Sequence, residues 1–495
     1  MDLPPGLPIS QADWEQTPRV VQGMVNVLWQ LIGSLKHQVA EQQEQITQQQ
    51  EQVTRLEGEV ARLSEQVHKN SQNSSKPPAS DGPQTPSKPK GEPTGRKAGG
   101  QKGHHGHGRK LKLPDQVLRT VVCKPDTCHC CGALLLGEDP QPRRRQVSEL
   151  PKIEPVITEY QLHTLTCLAC GAETSGSWPE EMPEGSFGPR TQAMIGYLGG
   201  RFGMSDRDVA ELMAVGFHTE IGLGSIPAQE QAVSAALKVA VEEAKAYARV
   251  QTSVNMDETG WHEKGKPAWL WVGATALVTV FVLLATRSAA GIQRLLGEDF
   301  AGILGSDRWT AYNGFDPLRR QVCWAHLKRD FQALFERGGE SRVIGKLLLK
   351  QTKLMFSYWH RVRDGTLSRT DFSALVQPIR TEIKALLQLG LQLNHSTTRR
   401  TCANILKLEP ALWTFVDHEG IEPTNNAAER PLRRGVLWRK HCFGTQSEHG
   451  SLFVERILTA VLTLRQQKRD VLEFLTQVCH ARNCAAHSPS LLPTN

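Results

Sequence analysis

The sequence lacks the usual features of a secreted protein. Residues 1–8 contain three prolines and neither a basic residue nor an apolar core, so we expect no signal peptide. The 11 cysteines are odd in number and bunched, which does not fit a fold held together by disulfides. Clustered thiols in a reducing compartment instead predict metal binding, and we expect a cytoplasmic protein.

Long apolar runs are also scarce. The one stretch that reaches the length of a membrane-spanning helix, residues 268–286, has 19 residues without a charge. Its content is β-branched and aromatic, especially over residues 269–272 and 278–282, which favours two buried strands joined by a short turn. We therefore expect no membrane partner.

Residues 71–110 contain no Leu, Ile, Val, Met, Phe, Tyr or Trp. Such a segment cannot bury apolar surface, so residues 70–112 are predicted to form a disordered basic linker. Residues 71–110 hold eight Lys or Arg against two acids. An arm that lies along phosphates and a solvated tether both fit this composition.

What the chain does contain indicates several domains. Its 495 residues imply about three or four units. The 58 Lys plus Arg exceed the 51 Asp plus Glu by seven, a mild indication of anionic partners.

Residues 18–69 carry a heptad repeat that predicts a coiled coil. Valine or isoleucine at the first position with leucine at the fourth favours two parallel strands, so we expect a homodimer. A single amphipathic helix packed on its own domain is the alternative, and Gln42 and Gln49 weaken the middle of the seam. The seam comprises Val25, Leu28, Ile32, Leu35, Val39, Ile46, Val53, Leu56, Val60, Leu63 and Val67.

Two C-x-x-C-G turns predict a structural zinc site within residues 113–185. Each turn directs two thiolates to one point, and two turns complete a tetrahedral shell for Zn²⁺. The strand-like residues 155–162 between them predict a ribbon with an inserted hairpin. The predicted ligands are Cys128, Cys131, Cys167 and Cys170, with Cys123 and Cys130 as available substitutes.

Residues 186–250 are predicted to be helical, with Ser205 as an N-cap and Asp208 three residues later. Short helices around a glycine-containing turn resemble a helix-turn-helix, and we assign the region to DNA binding. For the helix-turn-helix itself, ordinary helical packing is the favoured interpretation, because no basic recognition face stands out. Another helical segment, a core or docking helix, is predicted over residues 446–485.

Two apolar segments each end in an acid, Asp257 and Asp307. Three strands, a helix and a fourth strand predict an RNase H-like α/β core over residues 251–445, with the first and fourth strands adjacent. A helical insertion is predicted at about residues 331–420. Asp257 and Asp307 would then lie side by side at strand ends and repel each other unless a cation lies between them.

A third acid, Glu429, precedes a run of cationic residues. Thr424, Asn425 or Asn426 is a candidate cap for a helix with Glu429 in its first turn, which would accommodate Pro431. Three carboxylates allow two Mg²⁺ or Mn²⁺ ions to bracket a phosphodiester. The residues predicted to contact the DNA backbone are Arg430, Arg433, Arg434 and Lys440.

From about residue 25 to residue 477 the sequence resembles the bacterial insertion-sequence transposases of the "sixty-six" group, which carry a DDE catalytic triad. The resemblance implies that Asp257, Asp307 and Glu429 are the metal-binding triad, that a structural zinc domain precedes the catalytic domain, and that Lys440 lies in a DNA-positioning stretch. The motifs are S-Q-N-S-S-K-P-P at 71–78, G-G-Q-K-G-H at 99–104, the paired cysteine turns, M-D-E-T at 256–259, Ser306-Asp307 with Tyr312, C-W-A-H at 323–326, and Asn425-Asn426 ahead of Glu429-Arg430.

We therefore expect a DNA transposase that acts on double-stranded DNA at the ends of an insertion sequence and at its target. Water would hydrolyse the phosphodiester at the element's end, and the freed 3′-hydroxyl would attack target DNA. The alternative is a non-catalytic, coiled-coil zinc-ribbon DNA-binding protein derived from a transposase. The presence of all three acids in order argues against it.

Overall fold

The computed structural model describes residues 2–67, 69–74, 110–180, 182–183 and 185–493. Most of the predicted linker lies outside these residues. The chain divides into a helical unit, drawn from residues 1–85 and 326–407, and a sheet unit, drawn from residues 86–325 and 408–495.

The strands are β1 (Thr164–Thr166), β2 (Glu173–Ser175), β3 (Ser253–Glu263), β4 (Lys266–Ala274), β5 (Thr279–Leu284), β6 (Ile303–Ser306) and β7 (Arg320–Val322). The helices are α1 (Gln11–Gln16), α2 (Arg19–Val67), α3 (Pro189–Tyr197), α4 (Asp206–Phe217), α5 (Ser225–Ala236), α6 (Lys238–Arg249), α7 (Ala290–Leu296), α8 (Trp324–Glu336), α9 (Gly339–Arg363), α10 (Arg369–Gly390), α11 (Ser396–Leu406), α12 (Thr414–Asp417), α13 (Asn426–Cys442), α14 (Glu448–Gln466) and α15 (Val471–Asn483).

The helical unit contains the long helix α2 and the bundle α9–α11. The segment before α2 folds back on it: Trp14 is buried, and the Gln22 side chain donates to the Trp14 carbonyl at 2.6 Å. The heptad seam, in contrast, is open from Leu28 onward, with exposed fractions from 42 % at Ile32 to 80 % at Val67, whereas Val25 is partly buried. In the bundle, apolar residues at helical spacing are buried, among them Leu348 and Met355 of α9 and Phe372 of α10.

The sheet unit is built on a five-stranded sheet in the order β5-β4-β3-β6-β7. Strands β3, β4 and β5 are antiparallel, whereas β6 pairs in parallel with both β3 and β7. The predicted adjacency of the first and fourth strands of this region is confirmed. The uncharged stretch 268–286 forms β4 and β5 as predicted, and no helix in the described part of the chain is long and apolar enough to cross a membrane.

Both faces of this sheet are covered, because alternate strand residues point to opposite sides. Val254 and Met256 of β3 pack with α6, α7, α14 and α15 on one face. Trp261 of the same strand packs on the other face with Ala428 and Leu432 of α13. This alternation decides which side chains of β3 face α13.

Helix α14 covers the outer edge of the sheet, as the core helix predicted for this segment. Its side chains accept hydrogen bonds from alternate N–H groups of β5: Leu283 to Glu455 at 2.8 Å, Phe281 to Thr459 at 3.0 Å and Thr279 to Thr463 at 3.0 Å. Four helical residues rise about 6 Å and two strand residues about 6.6 Å, so the two repeats match. The polar residues on α14 therefore provide hydrogen-bond acceptors for N–H groups of an edge strand that would otherwise lack partners.

The helices that precede the sheet follow the predicted pattern. Ser205 caps α4, because its side-chain oxygen accepts the Asp208 N–H at 3.2 Å. In turn, the Asp208 carboxylate accepts the Ser205 N–H. Between α3 and α4 the chain forms one π-helical turn, Leu198–Phe202, that ends at Gly203 in the left-handed region.

Candidate active site

Asp257 lies in the middle of β3, on the face covered by α13. It shares that face with Trp261, four residues on, which packs against Ala428 and Leu432. The prediction that Asp257 ends its strand is wrong: β3 continues to Glu263, because the segment beyond Asp257 pairs with β4 in a long hairpin. Only the pairing with β6 stops short of Asp257, at Asn255.

Asp307 follows directly after β6 and lies beside Asp257 in register. Asn255 pairs with Gly305, so each aspartate comes two residues after the last parallel pair. The Asp307 carboxylate accepts the Trp309 N–H at 2.8 Å, which fixes the turn that leaves the strand.

Arg320, which the sequence analysis did not single out, supports this turn from beneath. Its guanidinium donates to the carbonyl of Asp307 at 2.6 Å, to Ser306 Oγ at 3.0 Å and to the Tyr312 carbonyl at 3.1 Å. The side chain is fully buried, and burial lowers the pKa of Arg320 to about 10, so it stays charged at neutral pH. No motif marks this residue in the sequence.

Glu429 lies in the first turn of α13, as predicted, and Asn425 holds that turn against the sheet. The Asn425 side-chain amide donates to the Met256 carbonyl at 2.7 Å, and the Asn425 carbonyl accepts the Glu429 N–H at 3.1 Å. The Asn425 N–H donates to Cys323 Sγ at 3.2 Å. Asn425 caps the helix through its backbone and not through its side chain, because the side chain is engaged with β3.

Asp307 and Glu429 are close enough to Asp257 to act on its carboxyl group electrostatically. Burial raises the pKa of Asp257 well above its ordinary value and is the largest cause. The negative charges of Glu258, Asp307 and Glu429 raise it further. Carboxylate oxygens are the donors that Mg²⁺ and Mn²⁺ prefer, and a divalent cation would favour the ionised forms of this cluster. These carboxylates are the donor type that fits the predicted ion, but among the described residues the donor atoms of Asp257, Asp307 and Glu429 do not all lie within 4.8 Å of one another.

Glu258, the neighbour of Asp257, belongs to a different arrangement on the opposite face. Arg287 donates to one carboxylate oxygen at 2.8 Å and the Tyr312 hydroxyl donates to the other at 2.5 Å. The Arg287 guanidinium itself lies 3.8 Å from the Trp309 ring centre and 4.7 Å from that of Trp269. Both oxygens of Glu258 are thus engaged in holding the fold together.

Helix α13 presents the predicted DNA-contacting residues on its outer side. Arg430, Arg433 and Lys440 are exposed and Arg434 is partly buried. Leu432 and Gly435 are buried on the inner side, where a Cβ at Gly435 would clash with Leu270 of β4. The glycine therefore lets the basic helix approach the sheet closely.

The two cysteine turns have the same backbone geometry. In each, the glycine N–H donates to the carbonyl of the first cysteine at 2.8 Å, and that cysteine's N–H donates to the following alanine carbonyl at 2.8 Å. Gly132 and Gly171 have φ of 73° and 72°, a conformation that suits glycine.

Backbone N–H groups aimed at the sulfur atoms prepare the turns for metal. Those of Cys131 and Cys130 lower the pKa of Cys128, and those of Ala169 and Cys170 lower the pKa of Cys167. Stabilised thiolates fit a zinc ion. Within residues 110–180, all described, no three metal-ligating side chains lie within 4.8 Å of one another, so the structure does not bring the four sulfurs together.

The predicted inserted hairpin is wrong. Residues 155–162 form no strand, because in the described part of the chain no strand pairs with them. The hairpin is instead β1 and β2, which flank the second cysteine turn and pair Thr166 with Glu173.

Comparison with known proteins defines the class of the molecule. Residues 187–452 match a family described as "Transposase IS66 family", and residues 125–171 match the zinc-finger binding domain of transposase IS66. Because the first match covers more than half of the chain, the protein belongs to the IS66 family of transposases. Residues 21–110 match a family of unknown function, DUF6444. The predicted family and zinc-finger domain are confirmed.

Two curated relatives come from Sinorhizobium fredii. The uncharacterized protein y4hP is 24 % identical over 408 residues, which cover 74 % of this chain and 72 % of that protein. The uncharacterized protein y4qI is 27 % identical over 241 residues, which cover 43 % of each chain.

Proposed function

We propose that this protein is an active DNA transposase whose phosphodiester hydrolysis and strand transfer take place at Asp257, Asp307 and Glu429. One observation carries the proposal. Strand β3, the residue after its parallel neighbour β6 and the first turn of α13 each contribute one carboxylate. The charges of Asp307 and Glu429 raise the pKa of Asp257. Clustered like charges with perturbed pKa values are typical of functional sites.

The sheet order supports an RNase H-like core. Three antiparallel strands are followed by two parallel ones, and two of the acids stand on or directly after the neighbouring strands β3 and β6. On this view residues 251–445 form the catalytic domain, and the helices at about residues 331–420 are an insertion into it.

The three carboxylates would hold Mg²⁺ or Mn²⁺, which when bound neutralises phosphate charge and lowers the pKa of coordinated water. The residues of the chain do the positioning. Arg320 fixes the main chain of Asp307, and Asn425 fixes the turn that carries Glu429. The exposed cations of α13 would grip the backbone phosphates of double-stranded DNA.

The open seam of α2 supports pairing with a second copy of this chain. Its exposed valines, isoleucines and leucines would be buried in a two-stranded coiled coil, which brings two active sites to the two ends of one element. Structural zinc at the two cysteine turns would stabilise a module whose apolar residues are mostly exposed.

The test is cleavage of DNA that carries the element's ends, with Mg²⁺, by Asp257→Asn, Asp307→Asn and Glu429→Gln proteins. Each should lose cleavage by about 10²- to 10³-fold, a size typical for removal of one group that stabilises developing charge, and should still bind the DNA. Glu422→Gln is the matched control, because Glu422 is an exposed acid that precedes α13.

Cleavage that persists in the three variants would refute the catalytic assignment. A wild-type chain that binds the same DNA but never cuts it, with Mg²⁺ or Mn²⁺, would instead support a non-catalytic DNA-binding protein.

A further inference from the structure

Three arginines from three separate elements lie together in the sheet unit: Arg201 on the π-helical turn, Arg434 on α13 and Arg465 on α14. Partial burial is the largest cause that lowers the pKa of Arg201 and of Arg434. The charge of Arg465 lowers both further, and that of Arg201 also lowers the pKa of Arg434. The three cations therefore repel one another.

Two glycines explain how the π-helical turn reaches these helices. A Cβ at Gly200 would clash with Ile457 of α14, so only glycine allows the turn to touch that helix. Gly203, in the left-handed region, lies against Trp438, one turn beyond Arg434 on α13. The turn that carries Arg201 is therefore packed against the helices that carry Arg434 and Arg465.

Carboxylates do not balance this charge. Among the described residues no Asp or Glu forms an ion pair with any of the three arginines within 4.0 Å. Glu230 approaches Gly199 on the same turn, but burial and the nearby Asp206 raise the pKa of Glu230 to about 8, so it is largely uncharged at neutral pH. Arg201 Nε is buried and has no hydrogen-bond partner among the residues that the structure describes.

The arginine cluster is separate from the carboxylate site. At 3.6 residues per turn, Arg433 and Lys440 share the flank of α13 that carries Glu429. Arg434 falls on the other flank with Trp438, the residue that Gly203 touches. The basic run therefore divides into two surfaces that the sequence does not distinguish.

We propose that Arg201, Arg434 and Arg465 form a binding site for a backbone phosphate of DNA, on the flank of α13 opposite the carboxylates. Guanidinium groups donate charge-assisted hydrogen bonds to phosphate oxygens, and a phosphate would relieve the repulsion among the three cations. The site deepens the proposed function, on which it rests for the identity of its ligand.

The test measures binding of a fluorescent, mixed-sequence DNA duplex to the full chain in EDTA over a range of KCl concentrations. Arg201→Gln and Arg465→Gln should each weaken binding and reduce the slope of log K against log salt by about one. Arg201→Lys and Arg465→Lys, which keep the charge, should recover most of that slope. Arg294→Gln on α7 is the control, because Arg294 is exposed and its charge acts on the acids Glu242 and Glu455.

Unchanged affinity and salt slope in both glutamine variants would overturn the proposal. Arg465 is exposed, so its variant tests the site even if Arg201→Gln fails to fold. The assay needs no catalysis. A chain that binds through the arginines yet never cuts DNA with Mg²⁺ would refute only the proposed function, and one that cuts with unaltered binding in the variants would refute only this site.

Discussion

The side-chain amide of Asn425 donates a 2.7 Å hydrogen bond to the main-chain carbonyl of Met256, the residue before Asp257. Through its own carbonyl, Asn425 also accepts the N–H of Glu429. One buried side chain thus links the strand that carries one candidate metal ligand to the helical turn that carries another. The geometry of the carboxylate cluster depends on it.

Asn425→Ala should therefore reduce Mg²⁺-dependent cleavage while leaving DNA affinity in EDTA unchanged. Loss of a buried hydrogen bond costs about 1–3 kcal/mol, or about 5- to 150-fold if it falls on the reaction. The Mg²⁺ concentration that gives half-maximal cleavage should rise as well. Asn426→Ala is the control, since Asn426 is exposed at the next position. Equal cleavage and Mg²⁺ dependence in both variants would contradict this role.

Glu230 should make folding stability depend on pH. Its pKa is about 8 in the folded chain against an ordinary 4.5, so the folded state keeps a proton that the unfolded chain releases. The contribution of this proton to the free energy of unfolding is complete below about pH 4.5 and is lost as the pH rises through about 8. Glu230→Gln should flatten the fall in melting temperature over that range, measured by calorimetry. Glu211→Gln, at an exposed site on α4, should keep the wild-type profile.

Thr459→Val should destabilise the sheet unit. Thr459 Oγ1 accepts the Phe281 N–H at 3.0 Å, and valine of the same shape leaves that buried donor unsatisfied. We expect a loss of about 1–3 kcal/mol in chemical denaturation. Thr381→Val on α10 should change little, because that hydroxyl is exposed and bonds only to Gln377 of its own helix. Similar losses in both variants would count against the edge contact.

Zinc content should identify the ligand thiols. Cys128→Ser and Cys167→Ser should each lose about one zinc ion per chain, since a structural site needs four ligands. Cys123→Ser and Cys130→Ser should retain it if these exposed thiols stand outside the site. Metal analysis of the purified variants decides between the two sets, and loss of zinc from Cys130→Ser would reassign the first turn.

The heptad seam should control oligomeric state. Val53→Lys combined with Val60→Lys places charge at two first positions and should convert a dimer into monomers, measured by sedimentation equilibrium. Gln48→Lys adds a charge outside the seam, so that protein should retain the wild-type mass. A double variant of unchanged mass would show that α2 does not join two copies.

Local pattern was sufficient where it determined structure by itself. The uncharged residues 268–286 predicted β4 and β5, and the turn-forming asparagines predicted the start of α13. The local sequence pattern failed where contacts between residues distant in the sequence determine the structure. β3 continues past Asp257 because β4 lies opposite, and the buried role of Arg320 arises from contacts to Ser306, Asp307 and Tyr312. Likewise, Arg201 and Arg465 are far apart in the sequence, so no local pattern predicts that they belong to one site.

Backbone groups of both edge strands of the large sheet form hydrogen bonds with other parts of the chain. Helix α14 takes the N–H groups of β5, while Thr414 donates to the Arg320 carbonyl of β7 at 2.6 Å. These contacts engage backbone groups at both edges of the sheet and hinder the addition of a strand from a neighbouring molecule. Truncation at residue 452, where the family match ends, would remove most of α14 and expose the N–H groups of β5. A sheet edge exposed in this way is prone to aggregation through strand pairing.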